Sequence, residues 1–71
     1  MPKSAQSVVV PDAGLLTVPE AAAFLRIKPS TVRAWVLYRR IPFLKLGGST
    51  LRFRRSDLEK FISESVIEAA A

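Results

Sequence analysis

The sequence predicts a mainly α domain with one small β-hairpin, and three observations carry that prediction. Two short helical patterns, Val18–Leu25 and Pro29–Arg39, stand only a few residues apart. Two runs in which apolar and basic residues alternate, Phe43–Leu46 and Leu51–Arg54, flank Gly47-Gly48-Ser49-Thr50. A third helical pattern opens near Arg55. Seventy-one residues make one small domain at most, with little room for a buried catalytic pocket.

Residues 1–14 hold two Pro and one Gly without helical periodicity and are expected to form a flexible arm. Within it, Val8-Val9-Val10 is expected to dock on the domain or on a neighbour. The foldable chain runs from 15 to 64. The first helix has a defined start, because Thr17 and Glu20 form the T-x-x-E pattern in which each side chain bonds the other's backbone N–H. Pro19 falls in the first turn, where its missing N–H costs nothing. Val18, Ala21, Ala22 and Leu25 follow at i, i+3, i+4, i+7 as one apolar stripe. The two alanines admit close approach of another helix. Arg26-Ile27-Lys28 is the turn, with Ile27 as its buried plug. So short a connection predicts that the two helices fold against each other as a helix-turn-helix.

Pro29 suits the first position of the second helix. Val32, Trp35 and Val36 face inward at i, i+3, i+4, and Trp35 is expected to pack in the core. The opposite face carries Ser30, Arg33, Ala34 and Leu37. Ser30 and Ala34 let the backbone approach a groove floor, and Arg33 is the one long side chain there fit for a base edge or a phosphate. Arg39 and Arg40 suit either the helix C-terminus or phosphate binding. Ile41-Pro42 stops the helix. The alternating runs then read as a hairpin: Leu44 and Leu46 share one face opposite Lys45, while Leu51 and Phe53 point inward and Arg52 and Arg54 outward. Lys45 and Arg52 projecting beside a Gly-Gly tip give the hairpin the character of a wing. In the third helix, Leu58, Phe61, Ile62 and Val66 supply the inner face and close the core over the first helix. Asp57 and Glu59 favour its N-terminal turn. Residues 65–71 continue as a helical tail.

Charge is segregated along the chain. From Ala21 to Ser56 there is no acid, and nine cations occupy that span: Arg26, Lys28, Arg33, Arg39, Arg40, Lys45, Arg52, Arg54 and Arg55. From Asp57 onward, Asp57, Glu59, Glu64 and Glu68 stand against Lys60 alone. A basic body of this kind predicts a polyanion-binding surface, and the outer face of the second helix is the part expected to enter the DNA major groove. The chain has no Cys and no His, which excludes disulfides, thiolate nucleophiles and the usual zinc sites. With no clustered carboxylates either, an acid–base pair is missing. No enzyme activity, cofactor, metal or small-molecule substrate is expected. No apolar run approaches the roughly 20 residues that span a bilayer, and the N-terminus does not resemble a signal peptide. A cytoplasmic protein without a membrane partner follows as the expectation.

The stretch TVPEAAAFLRIKPSTVRAWVLYRRIPFLKLGGSTLRFRRSDLEKFI resembles the excisionase-type, MerR-like winged helix-turn-helix family. The specific parts are T-V-P-E-A-A with Leu25, S-T-V-R at Ser30–Arg33, Trp35, I-P, L-G-G and the closing R-F-R-R-S-D-L. The resemblance implies three helices plus a two-stranded wing. It places Ser30, Thr31, Arg33 and Ala34 in the major groove, beside the outward Leu37. The wing residues Lys45, Ser49, Thr50 and Arg52 go to the adjacent minor groove, and Arg54 and Arg55 to nearby phosphates; beside these, Gly48 of the wing and the cations Lys28, Arg39 and Arg40 are expected to take part in DNA contact. Many relatives have a polar N-cap before the second helix and a Gly before the I-P. Here Lys28 and Arg40 stand in those places, so the cap hydrogen bond is lost. The chain lacks the coiled coil and effector domain of MerR-type activators, and that favours the standalone members, the excisionases or recombination directionality factors of phages and integrative elements.

The function this implies is architectural: double-stranded DNA bound cooperatively at repeated sites by copies in head-to-tail contact, bent, and presented to a partner integrase for excision. Bacterial or phage origin and a nucleoid location go with it. A small transcription regulator using the same surface is the alternative. A protein–protein adaptor is the alternative from another class.

Overall fold

The computed structural model describes residues 14–69; the expected arm, Val8–Val10 included, lies outside the described residues apart from Gly14. The elements run β1 (Leu15–Leu16), α1 (Val18–Leu25), α2 (Pro29–Leu37), β2 (Leu44–Leu46), β3 (Thr50–Arg54) and α3 (Arg55–Glu64). The fold is three helices with a small antiparallel sheet, as a winged helix-turn-helix requires. The capping box is present at the start of α1. Glu20 N–H donates to Thr17 Oγ1 at 3.3 Å and Thr17 N–H to Glu20 Oε1 at 2.8 Å.

Both helices of the pair end in a left-handed residue that is not glycine. Arg26 has φ 59°, with its own N–H donating to Ala23 O and that of Ile27 to Ala22 O. Arg39 has φ 57°, and Arg39 N–H donates to Val36 O at 3.0 Å and Arg40 N–H to Trp35 O at 2.7 Å. These paired back-bonds are Schellman closures. The second one ends α2 at Leu37, two residues short of Arg39, and it places the left-handed turn one residue before Arg40.

The core is Leu16, Val18, Ala21, Ala22, Val32, Ile41, Phe53 and Leu58. Ile41 is a core residue that its place beside the helix-stopping Pro42 concealed. Phe53 is fully buried at the centre, because β3 is the middle strand of a sheet ordered β1-β3-β2. The sheet has three strands where the wing alone predicted two: Leu15 pairs with Arg54 and Leu16 with Phe53. The third strand gives the marginal two-stranded ribbon a fixed partner and ties the start of α1 to the wing.

Two expectations fail in their details. Lys45 and Arg52 do not project together. The connection is three residues long, with Gly47 and Gly48 at φ 62° and 86° and Thr50 already in the strand. Leu46 therefore pairs with Thr50, Lys45 with Leu51 and Leu44 with Arg52. A shift of one residue moves every side chain to the other face. Lys45 consequently shares a face with Leu51 and Phe53, while Arg52 shares the other with Leu44 and Leu46. Among the described residues the helical tail is also absent: α3 stops at Glu64, Ser65 Oγ donates to Phe61 O at 2.7 Å, and 66–69 have no regular structure. Among the described residues Val66 and Ile67 are little covered, at 65% and 94% exposure, and propensity without packing does not hold so short a segment in a helix. Helix α3 lies against β3 and reaches the helix pair through side chains. The Phe61 and Trp35 rings stand 5.8 Å apart, tilted by 54°, and Arg55 sits 4.8 Å over the Phe24 ring.

Candidate nucleic-acid interface

Helix α2 has one fully buried side chain, Val32, with Trp35 and Val36 half-buried beside it. Its other face is solvent-exposed at Ser30, Arg33 and Leu37 and half-buried only at Ala34. This face is what the sequence predicts, and the small residues at 30 and 34 leave the backbone accessible. Thr31 differs from its neighbours. It is half-buried and lies about 100° around the helix from Ser30, on the flank of the exposed face. Tyr38 lies on that same flank, 69% exposed, and was missed in sequence because it stands beside the helix-ending arginines.

The N-terminus of α2 is electrostatically open. Lys28 occupies the cap with no side-chain cap bond, and the first turn has no acid. The positive end of the helix dipole thus faces solvent next to a lysine. At the other end, the backbone N–H groups of Arg39 and Arg40 close the helix, and the helix closure makes no use of their exposed side chains. The backbone of these two residues closes the helix, and their side chains are left exposed.

The wing approaches the same end of α2. Arg39 and Lys45 line one cleft of about 340 Å³ with Val36, Leu37 and Phe43, so the register that separates Lys45 from Arg52 brings it beside α2. Gly48, Ser49 and Thr50 form the exposed wing tip. The remaining cations are partly committed to the fold. Arg52 Nη1 donates to Leu51 O at 2.7 Å. Arg54 pairs with Asp57 at 3.7 Å and Arg55 with Glu59 at 3.2 Å. Arg55 also covers Phe24, and its side chain is 29% exposed. Of the two residues assigned to phosphates after the wing, Arg54 keeps its head in solvent, whereas Arg55 braces α3 against α1.

A turn-linked helix pair presenting a narrow, uncapped, cationic face beside a β-wing is the arrangement of a DNA-binding winged helix-turn-helix domain, with double-stranded DNA as its ligand. Residues 15–66 match the family model described as a helix-turn-helix domain, and the chain belongs to that family. No curated protein and no solved structure matches it significantly. No helix among the described residues is long and apolar enough to cross a membrane.

Proposed function

We propose that the protein is an architectural excisionase, a recombination directionality factor of the MerR-like type, that binds repeated DNA sites cooperatively and bends them for a partner integrase. The observation that carries this is the size of the reading surface. Helix α2 has nine residues, and Arg33 is the only long polar side chain on its outer face. A single module of this kind covers roughly 600–1,000 Å² of interface, little for a unique address. Several copies on adjacent repeats supply what one lacks. The two ends of the molecule support head-to-tail contact: one face is basic, and the other end exposes Glu64 and Glu68 around the apolar Val66 and Ile67. A contact of this heterologous type does not close on itself and propagates along the DNA. The protein then contributes geometry and no chemistry, at the nucleoid and without a cofactor.

The test is titration of protein onto a fragment carrying the attachment site of an integrative element. Stepwise cooperative shifts with a changing bend angle are expected. A single non-cooperative shift without bending counts against the architectural role. Measuring excision and transcript level separately in a deletion strain assigns the surface to recombination or to a promoter.

A further inference from the structure

We infer that Leu37 is a sequence-reading residue that packs on the C5-methyl group of a pyrimidine in the major groove. This rests on the DNA-binding role of α2 and adds a target for the one large apolar side chain on its outer face. Leu37 is 74% exposed and closes the face begun by Ser30, Arg33 and Ala34. Exposed leucines are common, but this one is set among cations. Arg33 lies one turn before it, and Arg39 and Lys45 line the same cleft. Among residues 21–56 there is no acid, so an apolar patch of a protein partner would have to arrive through a cationic rim.

A nucleic acid satisfies that rim. In the major groove of a duplex the apolar target is the C5-methyl group, presented by thymine and by 5-methylcytosine. Arg33 and Leu37 are four residues apart, about 6 Å along the helix axis, which is one to two base-pair steps. The recognised element is therefore a guanine held by Arg33 with a methylated pyrimidine one to two base pairs away.

The experiment starts from the duplex that the protein protects in footprinting of the DNA flanking its own gene. Each thymine is replaced in turn by deoxyuridine, which removes the methyl group alone, and in a second set each cytosine is replaced by 5-methylcytosine. A loss of about four-fold in affinity at one thymine near the Arg33-dependent guanine, absent in Leu37→Ala and kept in Leu37→Met, establishes thymine as the source. A gain confined to one 5-methylcytosine, again absent in Leu37→Ala, establishes the methylated base. Affinity unchanged by every substitution, or changed equally in wild type and Leu37→Ala, overturns the inference while leaving DNA binding intact. Failure to bind any duplex at low salt removes both. Leu37→Ala is solvent-facing, and an unchanged melting temperature shows that the fold survives it.

Discussion

At the start of α1, Thr17 and Glu20 satisfy each other's backbone donors, Val18 is buried, and Ala21 and Ala22 pack into the core. At the start of α2, Lys28 makes no cap bond, no acid follows in the first turn, and only Val32 is fully buried. Both helices carry a proline in the first turn and both end in a Schellman closure on an arginine, so the backbone is built by one pattern. The difference lies in where the free energy of each terminus is realised. Helix α1 satisfies its donors internally and is finished once the protein folds. Helix α2 pairs its Thr31 and Val32 N–H groups with Lys28 O but has no side-chain cap, which leaves its positive end open to an anion. On the proposed function, the molecule divides into a scaffold whose first helix is capped from within and a reading element whose helix is not.

The largest expected effect tests the scaffold. Phe53→Ala empties the centre of the sheet, and truncations of this kind cost about 3–5 kcal/mol. That equals the whole stability expected for an unstapled domain of this size, about 3–5 kcal/mol. Circular dichroism should show an unfolded or barely folded chain at room temperature. A cooperative melt close to that of wild type would mean the core is held elsewhere.

Next in size comes the reading element. Arg33→Ala should weaken specific DNA binding by about 1–3 kcal/mol and relax preference at one position, while thermal stability stays within about 0.5 kcal/mol. Competition with non-specific DNA separates the alternatives: equal losses on both DNAs would make Arg33 a phosphate clamp and leave base reading to Leu37 and the wing.

How much of this division was legible before the structure depends on the range of the interaction concerned. The capping box and the outer face of α2 are written in residues three or four apart and stand where the sequence places them, and the hairpin, written in strict alternation, forms with a connection one residue shorter. The features that escaped depend on pairings across the chain. Leu15-Leu16 is too short to show strand periodicity and becomes β1 only through Arg54 and Phe53. The place of Lys45 depends on whether three or four residues connect the wing strands, and alternation within each strand is silent on that. Arg54 and Arg55 look like free cations until α3 brings Asp57 and Glu59 alongside them. The left-handed arginines at 26 and 39 carry no glycine to announce them; the back-bonds that hold them there exist only once the helices have closed.

A smaller effect falls on α1. Thr17→Ala removes the hydroxyl that accepts the Glu20 N–H and should cost about 1 kcal/mol of stability. DNA affinity, measured on the folded fraction, should not change. A matching loss of affinity would show that α1 also positions the reading helix, and the division between scaffold and reader would blur.

The smallest change separates the two helices by sign. Lys28→Ser gives α2 the cap that α1 has. The Lys28 backbone is already extended, at φ −75° and ψ 145°, as an N-cap requires, so the serine hydroxyl can accept a first-turn N–H without rearrangement. Stability should rise by about 0.5–1 kcal/mol. The same substitution removes a cation beside the dipole end, and the slope of log K against log salt should become shallower by about 0.9 if Lys28 meets a phosphate. Stability and affinity then move in opposite directions at one residue, which no change at Thr17 should produce. A gain in stability with an unaltered salt slope would place Lys28 off the DNA, and the missing cap would be a defect of the fold without a compensating role in binding.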